Sequence, residues 1–182
     1  MSELADWVAR CYDAKAKAGK WDSVLREWEQ FPVIAKRCSR YQKPTSGWTF
    51  LHQAAYFGEE RVCRILVRLG ASIGAQSSVG ETASEVARKK GWATLASWLE
   101  RATPDPEGFW VPSADPDILP SSCSWSEAVK CRASEPMLVS YAGSFVCIPC
   151  GQHYYEDSLG RVLVGWHGSY DPPCGMDDNP MI

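Results

Sequence analysis

Apolar residues recur at intervals of three and four along the first hundred positions. In "ERVCRILVRLGA", Val62, Ile65, Leu66 and Leu69 fall on one side of a 3.6-residue period and predict a buried helix closed by Gly70. Trp21, Val24, Leu25 and Trp28 predict an earlier helix, and Leu4, Trp7, Val8 and Cys11 one before it, over residues 3–18. Pro32 suits the first turn of a further short helix. After residue 120 the period shortens. Val, Tyr and Phe stand in short runs broken by turn residues, which reads as β-structure. Pro136 and Gly143-Ser144 bound strands at 137–142 and 144–149. "QHYYEDSLGRVLVGWH" predicts a hairpin around Asp157-Ser158-Leu159-Gly160. On its return strand Val162, Val164 and Trp166 should share one face, and Arg161, Leu163 and Gly165 the other. Residues 124–132 are expected to hold one or two helical turns.

The helical half repeats itself. An offset of 33 residues lays Gly47 on Gly80, Thr49 on Thr82, Ala54 on Ala87, Gly58 on Gly91, Val62 on Leu95 and Leu66 on Leu99. A period of that length is the mark of stacked units. Each position has a mechanical use. A glycine opens the turn, a threonine accepts a backbone N–H at the helix start, and a small alanine lets a neighbouring helix approach. A second glycine ends the first helix in a left-handed cap.

Over residues 46–76, "SGWTFLHQAAYFGEERVCRILVRLGASIGAQ" is similar to the ankyrin repeat, with Thr49-Phe50-Leu51-His52 where that family has Thr-Pro-Leu-His. Residues 79–102 resemble it less, with Ala83-Ser84 in place of the Leu-His pair, as a terminal repeat would. Residues 18–48 look like a degenerate first unit, with a long finger around 38–46. The resemblance implies helix–turn–helix units joined by β-turn fingers and used mostly to bind proteins. It also implies that His52 orders its turn by bonding neighbouring backbone. The binding surface of such stacks is the concave face of fingers and first helices. Carried onto this chain, that face offers Trp48, Phe50, Gln53, Tyr56 and Phe57, with Ser78 and Glu81 on the next finger.

The expected architecture is mostly α: a short ankyrin-like solenoid over 1–102, a Pro-rich packed linker over 103–122, and a small β-rich module over 123–182, α+β overall. Residues 103–182 carry no family resemblance. The linker "TPDPEGFWVPSADPDILP" has five Pro and no Lys or Arg, so it should be extended. Its Phe109, Trp110, Val111, Ile118 and Leu119 are too apolar for a free spacer, and we expect them to lie along the last helices of the solenoid.

Composition narrows the function classes. Hydrophobic residues at 45% and charged residues at 23% fit a folded chain. The net charge of -3 conceals a split: residues 1–102 carry an excess of five positive charges, and residues 103–182 an excess of eight negative ones. An acidic partner for the basic half, or an intramolecular contact between the halves, would use that split. No basic run is long or interleaved with aromatics, which argues against nucleic acid. No run of 18 apolar residues is present. The N-terminus lacks the apolar core of a signal peptide. The reading is a cytoplasmic chain, with the nucleus left open, whose eight Cys are thiols or metal ligands.

Three chemistries compete for the later cysteines. "CIPCG" places Cys147 and Cys150 at the spacing of a zinc knuckle, and Cys131 and His153, or Cys123 and Cys174, could complete a tetrahedron. Buried thiols are the plain reading, expected in the solenoid for Cys11, Cys38 and Cys63 and for most of the later cysteines as well. A catalytic set of Cys150 with His153 or His167 and Asp171 has the residue types but no signature. Tyr154, Trp166 and Tyr170, with Tyr155 and His167, form either a peptide-binding aromatic patch or a core. The favoured function is non-catalytic recognition of a protein or peptide. It needs no cofactor, and zinc belongs to the alternative.

Overall fold

The computed structural model describes residues 3–102 and 109–173. The chain is α+β and divides into two units, Met1–Thr103 and Pro104–Ile182. No helix among the described residues is long and apolar enough to cross a membrane.

The first unit is helical: α1 (Glu3–Ala14), α2 (Trp21–Gln30), α3 (Pro32–Arg40), α4 (Phe50–Phe57), α5 (Glu60–Arg68), α6 (Ala83–Lys89) and α7 (Ala93–Arg101). The 33-residue offset is visible in the coordinates. The α4–α5 pair starts at 50 and 60, and the α6–α7 pair at 83 and 93. Helix α4 packs on both α5 and α6, and α6 on α7. Ala54, Ala55 and Ala87 are fully buried at these contacts, where a larger side chain would force the helices apart. Pro32 opens α3, where its missing N–H costs nothing.

Thr49 and Thr82 cap α4 and α6 alike. Each side chain accepts from the backbone N–H three residues on, and that third residue, His52 or Glu85, bonds back to the cap's own N–H. Gly58 takes a left-handed φ of 74°. A Cβ there would lie 2.5 Å from the Trp92 ring, so glycine meets both a conformational and a steric need.

His52 is fully buried and joins the two pairs. Its Nδ1 accepts from the Thr49 N–H at 3.2 Å and contacts Thr49 Oγ1 at 2.8 Å. Because Nδ1 is an acceptor, Nε2 carries the proton and donates to the Glu81 carbonyl at 2.9 Å. The fingers are also tied directly. Ser78 N–H donates to the Ser46 carbonyl at 2.8 Å, and Gln42 Nε2 donates to the carbonyls of Gly47 and Gln76.

The second unit holds two small sheets. One has the order β1 (Ile118–Leu119), β4 (Met137–Tyr141), β5 (Ser144–Ile148). The other has the order β2 (Ser121–Ser122), β7 (Val162–Leu163), β6 (His153–Glu156), β3 (Val129–Arg132). β4 and β5 meet through Ala142-Gly143, with φ of 50° and 76°. Two consecutive positive values give a two-residue turn whose twist matches the strands. Val139, Ile148, Tyr154, Val162 and Val164 form the core, with Leu119 and Tyr170 packed against it.

One expectation is corrected here. The apolar residues of the Pro-rich stretch belong to the second unit. Trp110 is buried and donates from Nε1 to the Val164 carbonyl at 3.0 Å, the Phe109 carbonyl accepts from Ala142, and Ile118-Leu119 pair in parallel with Leu138-Val139. Extended, donor-poor chain suits a short sheet edge; residues 103–108 lie outside the described set. Along the return strand Val162, Leu163 and Val164 are all buried, so both of its faces are covered, and within its sheet β7 lies between β2 and β6. The predicted helical turns at 124–132 reduce to one 3-10 turn, Trp125–Glu127, followed by β3.

The hairpin turn is held by a buried carboxylate. Asp157 accepts from the N–H groups of Leu159 and Arg161 and from Arg161 Nε, each at 2.9 Å. Asp157→Ala would leave those donors unmet. It is expected to cost about 1–3 kcal/mol in urea unfolding, with Asp157→Asn closer to wild type.

Burial holds the His52 imidazole below its ordinary pKa of 6.5, outweighing the Glu81 contribution. The unfolded chain therefore binds its proton first. This stabilisation is complete above pH 6.5 and is lost as pH falls through that value toward the folded pKa. Melting curves at pH 7.5 and 5.5 should show a drop that His52→Gln removes. His52→Ala should cost on the order of 3 kcal/mol at pH 7.5, because it orphans the Thr49 N–H and the Glu81 carbonyl.

Candidate functional site

Trp48, just ahead of helix α4, is followed at four-residue spacing by His52 and Tyr56 on the helix itself. The Trp48 ring centroid is 5.8 Å from His52 and 5.9 Å from Tyr56, and Tyr56 lies 5.1 Å from Phe57. His52 faces inward, whereas Trp48 is half-buried and Tyr56 and Phe57 are each 37% exposed. The row continues beyond α4. Trp92, 46% exposed, donates from Nε1 to the Tyr56 carbonyl at 3.3 Å and rests against Gly58. Lys90 Nζ stands 4.1 Å from the Tyr56 ring centroid, a cation–π geometry. At the other end, Phe57 lies against Gly19, in the turn that carries exposed Lys17 and Lys20. The result is an aromatic strip in which Tyr56, Phe57 and Trp92 are exposed and Trp48 is half-buried, with Lys90 on the Tyr56 ring and Lys17 and Lys20 near Phe57.

Of the residues expected on this face, Trp48, Tyr56 and Phe57 are there, and Ser78 is exposed on the neighbouring finger. Phe50 is not available. It is fully buried, with ring centroids of Tyr12, Tyr41 and Trp28 within 5.2, 5.9 and 6.0 Å. Gln53 is buried too and donates from Nε2 to the Tyr12 hydroxyl at 2.9 Å. Both lie on the side of α4 turned to the preceding helices, so Tyr12 of α1, Trp28 of α2 and Tyr41 cover them. Glu81 is half-buried, with its carboxylate on Lys89 and its carbonyl on His52. Sequence reasoning missed Lys90 and Trp92. The signal was present in "RKKGW", a Trp directly after a helix-ending glycine, which no inward-facing period claims.

In the second unit Trp166 is 60% exposed, as a binding residue would be. Tyr154 is a buried core residue whose hydroxyl donates to Glu156 Oε1 at 3.1 Å, and Tyr170 packs against the same core. These two are corrected from surface contacts to packing.

The residues proposed as metal ligands are not brought together. Cys131 pairs with Tyr154 and His153 with Arg132, so adjacent positions put Cys131 and His153 on opposite faces of one sheet. Cys147 is opposite Leu138 in the other sheet, and Cys150 Sγ donates to the Ser134 carbonyl at 3.3 Å. Among the described residues no three His, Cys, Asp or Glu side chains are placed to hold a metal; Cys174 lies outside them. Cys11, Cys38 and Cys63 are buried as expected, but of the later cysteines Cys147 and Cys150 are exposed and Cys123 and Cys131 half-buried, which corrects the expectation that most of them are buried. A hydrogen bond with Cys38, then burial, pushes the Cys11 thiol up, and burial does the same to Cys63. Thiols held protonated in this way are poor nucleophiles and poor ligands.

No family model matches the chain. It is similar over part of its length to three curated proteins. Calmodulin-binding transcription activator 4 of Arabidopsis thaliana is 35% identical over 79 residues, 40% of this chain and 8% of that one. Calmodulin-binding transcription activator 3 of the same plant is 32% identical over 105 residues, 46% and 10%. Calmodulin-binding transcription activator CBT of Oryza sativa subsp. japonica is 38% identical over 63 residues, 31% and 7%. The matches thus span between 7% and 10% of these relatives' lengths.

From the cysteine geometry, EDTA treatment should leave the melting temperature unchanged within about 1 °C, and Cys147→Ser should cost no more than about 0.5 kcal/mol, as exposed positions do. Calorimetry before and after chelation measures both.

Proposed function

We propose that this chain is a protein-interaction module of the ankyrin-repeat type, acting by binding a protein or peptide partner and without catalysis. The reading is carried by one observation, the strip of exposed Tyr56, Phe57 and Trp92 with half-buried Trp48 beside them and Lys90 seated on Tyr56. Large aromatics left in water on a rigid surface lose little conformational freedom on binding, and they dominate the energy of interfaces. The strip lies on the first helix of a repeated helix pair and the turn that follows the next one. That is the side on which the resemblance expects partners to bind.

The 33-residue periodicity, the two threonine capping boxes and the buried bridging histidine support the ankyrin assignment. The relatives are named as transcription activators that bind calmodulin, which agrees with a regulatory role through partners in the cytoplasm or nucleus. Their matched stretches are too small a share to bring calmodulin binding or activation to this chain. Ser78 and Glu81 sit at the edge of the proposed surface, and Trp48, Tyr56, Phe57, Lys90 and Trp92 at its centre.

The test is a pull-down with the full chain against Tyr56→Ala and Trp92→Ala variants whose melting temperatures match wild type. Each variant is expected to weaken the principal partner about 30-fold, the scale of an interface hot spot. Partners retained at wild-type levels by both variants would remove this surface.

A further inference from the structure

We infer that a cavity in the C-terminal unit, between residues 123–126 and 165–173, binds a methylated ammonium ion. Its volume is about 720 Å³, within the range of small-ligand sites. The residues that matter are Trp125, Trp166, Asp171, Pro172 and Pro173, all on its lining.

Both indoles are held in place before any ligand arrives. The Trp166 ring is 60% exposed, yet its centroid lies 5.2 Å from Trp110 and 5.4 Å from Phe109, and its carbonyl accepts from the Tyr141 hydroxyl. The loop behind it is closed by Gly165 N–H to the Ser169 carbonyl at 2.8 Å and Gly168 N–H to the Gly165 carbonyl at 2.9 Å. Trp125 stands on its 3-10 turn with its ring 5.8 Å from Tyr155. Two fixed aromatic walls lower the entropy cost of binding.

Charge selects the ligand. Asp171 is the single lining residue that is Asp, Glu, Lys or Arg, and its N–H to Ser169 Oγ bond at 3.1 Å fixes that bend of the loop. The described part of this unit carries three Lys/Arg against seven Asp/Glu, so the surrounding field also favours a cation. A bare ammonium is strongly hydrated and loses that water on entering an apolar slot. A methylated ammonium keeps its charge but presents methyl groups, which suit indole faces and proline rings. The same head group occurs on a methylated lysine side chain and on choline, so the chemistry is common to both sources.

The experiment is a proton NMR titration of the full chain at pH 8 with tetramethylammonium, choline and an acetylated trimethyllysine amide. The neutral isostere of choline, 3,3-dimethyl-1-butanol, serves as the control. Saturable upfield shifts of the N-methyl protons are expected, with the neutral isostere about tenfold weaker. Trp166→Ala should lose about tenfold or more. Asp171→Asn, a change at an exposed residue that spares the fold, should lose about threefold. Tighter binding of trimethyllysine than of choline would assign the source to a peptide, and the reverse to a small molecule. Absence of a saturable shift for every ammonium would overturn the inference. So would equal binding of the isostere, or full binding by Asp171→Asn.

Discussion

The helical unit depends on a neutral imidazole with no access to water. His52 closes its own helix start through Nδ1 and reaches the next unit through Nε2, so one side chain satisfies groups on both sides of a repeat junction. Two short helices cannot bury a face alone, and nearest-neighbour contacts supply most of a solenoid's stability. The Ser78 to Ser46 backbone bond and the Arg40 contact to the Leu69 carbonyl at 2.7 Å work in the same way, each spanning successive units. With α4 held between its neighbours, one side is covered and the other is presented rigidly. That rigidity makes the aromatic strip a plausible recognition surface.

The C-terminal unit solves a harder problem. Its strands run from two to five residues, too short for stability by ladder bonds alone. Aromatic packing, the Trp110 anchor on Val164 and the buried Asp157–Arg161 turn supply what the ladders do not. The Pro-rich stretch contributes two parallel edge strands, so a segment that reads as linker is structural. Trp166 stands against Phe109 and Trp110 with most of its surface in water.

The repeat, its caps and the buried thiols of the helical half were legible because each leaves a local mark: a fixed offset, a Thr three residues before its partner, a Cys on an apolar period. The candidate surface was legible only in part. The accessibility of Trp48, Tyr56 and Phe57 followed from their position in the unit, whereas Phe50 and Gln53 were misplaced because the preceding helices hide them. A motif gives the phase of its own helix. It does not say which neighbour covers that helix, and here Tyr12, Trp28 and Tyr41 do.

By itself the amino-acid order determined the helix pairs, their glycine and threonine ends, and the change to β-structure in the second half. Those follow from spacing and backbone conformation, which are local. Tertiary structure alone decided that β7 would be buried on both faces, that Cys131 and His153 would point apart, and that Lys90 and Trp92 would extend the α4 row. Each depends on which strand or helix comes to lie alongside, and that choice is made by packing between residues far apart in the chain.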